Sequence, residues 1–167
     1  MVRQRGKKGF SLIELLVVVA IIGLLATIGI WNYLVAMERG RQKRTMADLR
    51  TIANAWEARA TDTQGYEVGG ANFSWPVTAI PFANLKGALT PTYIRDVPKV
   101  DGWGTPFDFA TDQTNAPSDK AKTYAVRSAG RNRTVESSYP VNGTTNFDCD
   151  IVFSNGMFVI YPEGETR

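Results

Sequence analysis

The chain has 167 residues, 44% hydrophobic and 21% charged, with 19 Lys and Arg against 16 Asp and Glu, a formal net charge of +3. Histidine is absent, which removes His-based triads and His-ligated metal sites, and a single cysteine, Cys149, excludes an intrachain disulfide. Four bases, Arg3, Arg5, Lys7 and Lys8, crowd the first nine residues with no acid among them, so 15 bases face 16 acids in the remainder. The positive charge therefore belongs to a leader-like segment rather than to a nucleic-acid surface.

After Gly9 an apolar run extends from Phe10 to Trp31, rich in Leu, Ile, Val and Ala. As a helix it is roughly 33 Å long at 1.5 Å per residue, enough to cross the hydrocarbon core of a bilayer. It is too long for the apolar core of a cleaved secretory signal, and no small-residue exit site follows it. A plain signal anchor accounts for the length but not for Glu14, an acid inside the run that needs a partner in an apolar setting. The leader bases argue for a cytoplasmic N-terminus, yet Arg39, Arg41, Lys43 and Arg44 follow the run, so charge alone barely orients it.

Beyond the run, Met46, Leu49, Ile52, Ala53, Trp56 and Ala60 recur at three- and four-residue spacing, with Asp48, Arg50, Glu57 and Arg59 mostly elsewhere on the wheel. No proline occurs between Phe10 and Ala60, so the pattern predicts one helix, apolar all round at first and then amphipathic, with Trp56 in the core. Gly65, Gly69, Gly70, Pro76 and Pro81 mark turns and loops. Phe82 to Leu89 reads as a short helix. Asp101-Gly102-Trp103-Gly104-Thr105-Pro106 reads as a turn with Trp103 as its anchor and glycines where backbones approach. Alternation at Phe107–Phe109 and Tyr124–Ser128 predicts two strands joined by a polar loop. The runs Cys149–Phe153 and Met157–Tyr161 around Ser154-Asn155-Gly156 predict a tight hairpin.

Gly9-Phe10-Ser11-Leu12-Ile13-Glu14, behind a basic leader and opening a long apolar helix, resembles the processing motif of type IV pilins and type II secretion pseudopilins. The resemblance implies cleavage by a prepilin peptidase between Gly9 and Phe10, methylation of the new Phe10 amine, and a pairing of Glu14 with the Phe10 amine of a neighbouring subunit. A buried pair of this kind sets register between subunits more than it adds net stability. Members of the family often carry a proline where this chain has Trp31, so local melting of the helix there is not expected. The expected domains are a leader at 1–9, a membrane and filament-core helix at 10–34, an amphipathic continuation at 35–60 and a head at 61–167. The fold class is α+β and pilin-like, with a long N-terminal helix packed on a small antiparallel sheet.

Tyr93-Ile94-Arg95, Asp101-Gly102-Trp103-Gly104-Thr105-Pro106-Phe107 and Tyr124 through Ser128 to Gly130 resemble the head of the major pseudopilin. That group binds calcium in the loop before its last acidic stretch. Carried over by position, the ligands are Asp148, Asp150 and backbone carbonyls near Ser128 to Gly130. Arg131 and Arg133 stand in this loop and repel a divalent cation; the alternative role of the two acids is to cap turns or to pair with those arginines. The implied function is a structural subunit of a secretion pseudopilus; the alternative is the major pilin of a type IV pilus, serving adhesion, motility or DNA uptake. Implied partners are further copies of the chain, other pseudopilins or minor pilins, the peptidase, and an inner-membrane platform with its ATPase. The expected location is the inner membrane, single-pass with the head outside the cytoplasm, and then a periplasmic or surface filament. No catalytic constellation is present in the sequence: Ser128 and Ser154 lack a base partner, and Asp101 and Asp108 are expected to serve turns rather than chemistry. From residue 52 onward 10 bases face 13 acids, so nucleic acid is not an expected ligand, with Arg127, Arg131 and Arg133 the one place for a local basic patch.

Overall fold

The computed structural model describes residues 9–68, 80–112, 120–136 and 143–163. The leader bases, Gly69, Gly70, Pro76 and the middle of the polar loop after residue 112 lie outside the described residues. Six elements follow in order: α1 (Leu12–Thr63), α2 (Phe82–Leu89), β1 (Asp108–Thr111), β2 (Tyr124–Ser128), β3 (Ile151–Ser154) and β4 (Met157–Ile160). The chain divides into two compact units, residues up to Met37 and residues from Glu38 onward.

In the first unit α1 presents apolar side chains on all sides, and every large one from Phe10 to Leu34 is exposed. The helix is long and apolar enough to cross a membrane. Thr27 returns its hydroxyl to the Gly23 carbonyl at 2.9 Å, so even this polar group is satisfied within the helix.

In the second unit the later turns of α1 bury Gln42, Thr45, Leu49, Ile52, Ala53, Ala55 and Trp56 along one stripe. The apolar members of that stripe pack with Phe109, Tyr124, Val126, Ile151 and Phe153 from the sheet and with Leu85 and Leu89 from α2 in one continuous core. Trp56 lies at its centre, fully buried, 5.1 Å from the Tyr124 ring and 6.4 Å from Phe109, with its indole N–H donating to the Tyr66 carbonyl. Each large apolar side chain buried in this way stabilises the head by roughly 1.5–3 kcal/mol. A left-handed Gln64 (φ 60°) ends α1.

The four strands form an antiparallel sheet in sequence order, with Asp108 opposite Arg127, Val126 opposite Phe153 and Phe153 opposite Phe158. Asn155 and Gly156 form the two-residue turn between β3 and β4, both at positive φ (47° and 84°), the conformation that an Asn-Gly pair accepts most readily. One strand departs from the alternation expected of it. All five residues of β2 are buried: on the face away from α1 Ala125 clusters with Val152 and Ile160 of the same sheet, and Arg127 on that face is neutralised by Asp108. A central strand covered on both faces loses the polar-out rule on which that alternation rests.

Candidate functional site

Three places carry the residues singled out above. The first is the start of α1. Gly9 and Phe10 are exposed and precede the helix, with Phe10 at 77% exposure. Glu14 lies in the first turn, and its Oε2 accepts the backbone N–H of Ser11 at 2.9 Å. This is half of a capping box: Ser-x-x-Glu lets the acid reach back to a backbone donor that the helix leaves unpaired. The signal was present in Ser11-Leu12-Ile13-Glu14, beside the longer motif. Glu14 thus satisfies its own helix end within the subunit.

The second place is the turn from Asp101 to Thr105. Asp101 is buried; its Oδ1 accepts the backbone N–H groups of Trp103 and Thr105, each at 2.9 Å, and its Oδ2 accepts the Ser128 hydroxyl at 2.7 Å. Gly102 lies against α1, where a Cβ would come within 2.4 Å of the Arg41 carbonyl oxygen, and its N–H donates to the hydroxyl of buried Thr45. Trp103 donates its indole N–H to Glu38 at 2.6 Å, and its carbonyl accepts from Arg133. The Asp-Gly-Trp-Gly stretch is thus the bolt that fastens the turn before β1 to α1. Thr45 and Glu38 were not legible as partners, because a mid-helix threonine and a helical glutamate carry no periodic signal for a contact 57 or 65 residues away. Asp101 and Asp108 are not a carboxylate pair: the first holds the turn, and the second pairs with buried Arg127 at 2.6 Å.

The third place is the expected calcium loop. The fold does bring Ser128–Gly130 beside residues 147–149, with Arg131 N–H bonded to the Phe147 carbonyl at 2.9 Å. The Asp148 carboxylate, however, is committed. Asp148 is gripped by Arg131 through both oxygens, at 2.7 and 2.9 Å, and that guanidinium holds its carboxyl below the usual carboxylate range. Asp150 is buried and accepts the Glu136 N–H at 3.2 Å, while the Ser128 hydroxyl serves Asp101. Among the described residues no group of three or more His, Cys, Asp or Glu side chains gathers as a metal site. A hard divalent ion needs six to eight oxygens, and with both Asp148 oxygens taken by Arg131 this donor set does not fit it. Arg127, Arg131 and Arg133 do not form a phosphate-seeking patch either, since each is engaged within the head. Burial pushes the Cys149 thiol up, away from a reactive thiolate.

A family model described as the prokaryotic N-terminal methylation motif matches residues 4–30, the segment that contains Gly9, Phe10 and Glu14. Beyond it, the type II secretion system core protein G of Klebsiella pneumoniae is 30% identical over 109 residues, covering 64% of this chain and 74% of that protein. The chain belongs to the type IV pilin and type II secretion pseudopilin family. Within that family, core protein G of Vibrio cholerae is 28% identical over 120 residues, 72% of this chain and 78% of its own. A type IV major fimbrial protein FimA of Dichelobacter nodosus is 31% identical over 110 residues, 66% of this chain and 68% of its own. The core protein G matches, at 109 and 120 residues, are longer than α1 and so include part of the head. No solved structure matches the chain significantly.

Proposed function

We propose that this chain is a structural subunit of a type II secretion pseudopilus, processed by a prepilin peptidase between Gly9 and Phe10 and polymerised through the first half of α1. One observation carries the filament reading: a helix whose large apolar side chains are exposed through Leu34, with a lone acid in its first turn, directly follows the Gly9–Phe10 junction, and the core protein G relatives support the secretion role. Such a surface is stable only in lipid or against like helices, so the subunit waits in the membrane and leaves it when neighbouring helices cover it. Extraction from lipid requires work, and the family resemblance supports a platform protein and a cytoplasmic ATPase as the partners that supply it, with further copies of this chain and other pseudopilins along the shaft. The head faces away from the cytoplasm. No residue in the described head is assigned a catalytic role; the chemistry is done to the chain by its peptidase.

Intact-mass measurement and N-terminal sequencing of the protein from its native host test this reading. The expected chain begins at methylated Phe10. A chain that still begins at Met1 in cells with active peptidase overturns the reading in favour of a plain signal anchor. A surface pilus is the second reading, favoured by the fimbrial matches. Imaging separates the two, since the secretion role predicts a periplasmic filament and the pilus role an extracellular one.

A further inference from the structure

The residues just after β2 meet those just before β3 at Gly130 and Arg131. Gly130, at φ +67°, has the carbonyls of Phe147, Asp148 and Cys149 on the side where a side chain would stand, at 2.6 to 3.0 Å from an added Cβ. Three carbonyl dipoles and the Asp148 carboxylate thus concentrate negative potential at the junction between the residues after β2 and those before β3. The next residue in the chain is Arg131. Its backbone N–H takes the Phe147 carbonyl, its Nε and one terminal nitrogen fork onto both Asp148 oxygens, and its guanidinium lies 5.7 Å from the centre of the Phe147 ring. Planar, bidentate pairing of this kind is what arginine provides and a point charge does not. Asp148 is oriented in turn by its own N–H, which donates to Asn146 at 3.0 Å.

We propose that Arg131 is a tethered internal cation that holds the residues before β3 to the turn after β2, and that the head of this chain therefore keeps this junction closed without a divalent metal. The tether sets its effective concentration, so chelation or dilution does not remove it. This inference concerns the head alone and stands or falls separately from the filament reading.

The test uses the full-length chain in detergent micelles, melted with calcium chloride at millimolar concentration and again with a chelator. The two melting temperatures are expected to agree within about 1 °C. A metal site filled at a hundred times its Kd would instead raise the melting temperature by roughly 5–10 °C, and a rise of that size overturns the proposal. In the second arm, Arg131→Asp places two carboxylates together and lowers the melting temperature by several degrees. Adding Asp148→Arg to it is expected to recover most of that loss. A double variant as unstable as the sum of its single changes overturns the clamp. Should Arg131→Asp fail to fold, folding of the swapped double variant decides the same point, and the calcium comparison on the unaltered chain is independent of both.

Discussion

Asp101 shows how much one side chain organises in the head. Its two oxygens take two backbone donors of its own turn and one hydroxyl from β2; the bonds from Trp103 and Ser128 are buried and that from Thr105 is partly so. Removing the acceptor strands three donors, and each stranded buried group costs about 1–3 kcal/mol. Asp101→Ala is therefore expected to destabilise the head by about 3 kcal/mol or more in chemical denaturation, and Ser128→Ala, which removes one of the three bonds, by about 1–2 kcal/mol. Equal losses from the two variants would show that the two backbone bonds within the turn add nothing beyond the Ser128 contact. An acid beside a turn glycine could be read from the sequence as a turn residue; that it also reaches Ser128 could not, because the hydroxyl lies 27 residues further along the chain.

At the scale of elements, the seam between α1 and the sheet contains a polar lock within an apolar contact. The Tyr124 hydroxyl on β2 donates to Glu57 on α1, and the ring stacks between Trp56 and Tyr66. Burial, with the hydrogen bond to Glu57 behind it, raises the Tyr124 phenol well above its ordinary value. A folded-state pKa above the unfolded one means that the fold favours the neutral phenol. The stabilisation is complete below about pH 10, where an unfolded tyrosine is protonated, and fades as the pH rises beyond it. Stability measured by urea unfolding is expected to fall above pH 10, and Tyr124→Phe is expected to fall less steeply over the same range. Parallel alkaline profiles would remove Tyr124 from this role. The stripe on α1 that faces this seam was legible from its three- and four-residue spacing, and Trp56 stands where that spacing put it. The burial of β2 on both faces was not, since Ala125 shares its far face with Val152 and Ile160 from a hairpin much later in the chain.

For the molecule as a whole, the lone acid of the apolar helix decides between folding and assembly as its sphere of action. Within one subunit Glu14 accepts the Ser11 N–H near an exposed helix end, a contact whose loss costs about 0.5–2 kcal/mol locally. Under the proposed assembly it also meets a neighbour's Phe10 amine in an apolar bundle, where breaking a buried pair costs about 3–5 kcal/mol. Glu14→Ala is accordingly expected to leave cleavage and the melting temperature of the head unchanged, while weakening subunit association more than a hundredfold. Filament yield from the variant, measured against the level of cleaved subunit, checks this; a normal yield would remove Glu14 from the contact between subunits.

The long helix, its change from apolar to amphipathic, the hairpin turn and the α+β class follow from the order of residues alone. Periodicity, charge exclusion from lipid and the positive φ of Asn-Gly are local properties, legible within one or two turns of chain. Which acids meet which arginines, and so whether the loop before β3 is suited to a metal or closed by Arg131, depended on the register that the sheet imposes. Asp148 and Arg131 are 17 residues apart, and only folding sets the carboxylate and the guanidinium 2.7 Å from each other. Ionic chemistry acts through such distances, and a sequence orders its charges without placing them.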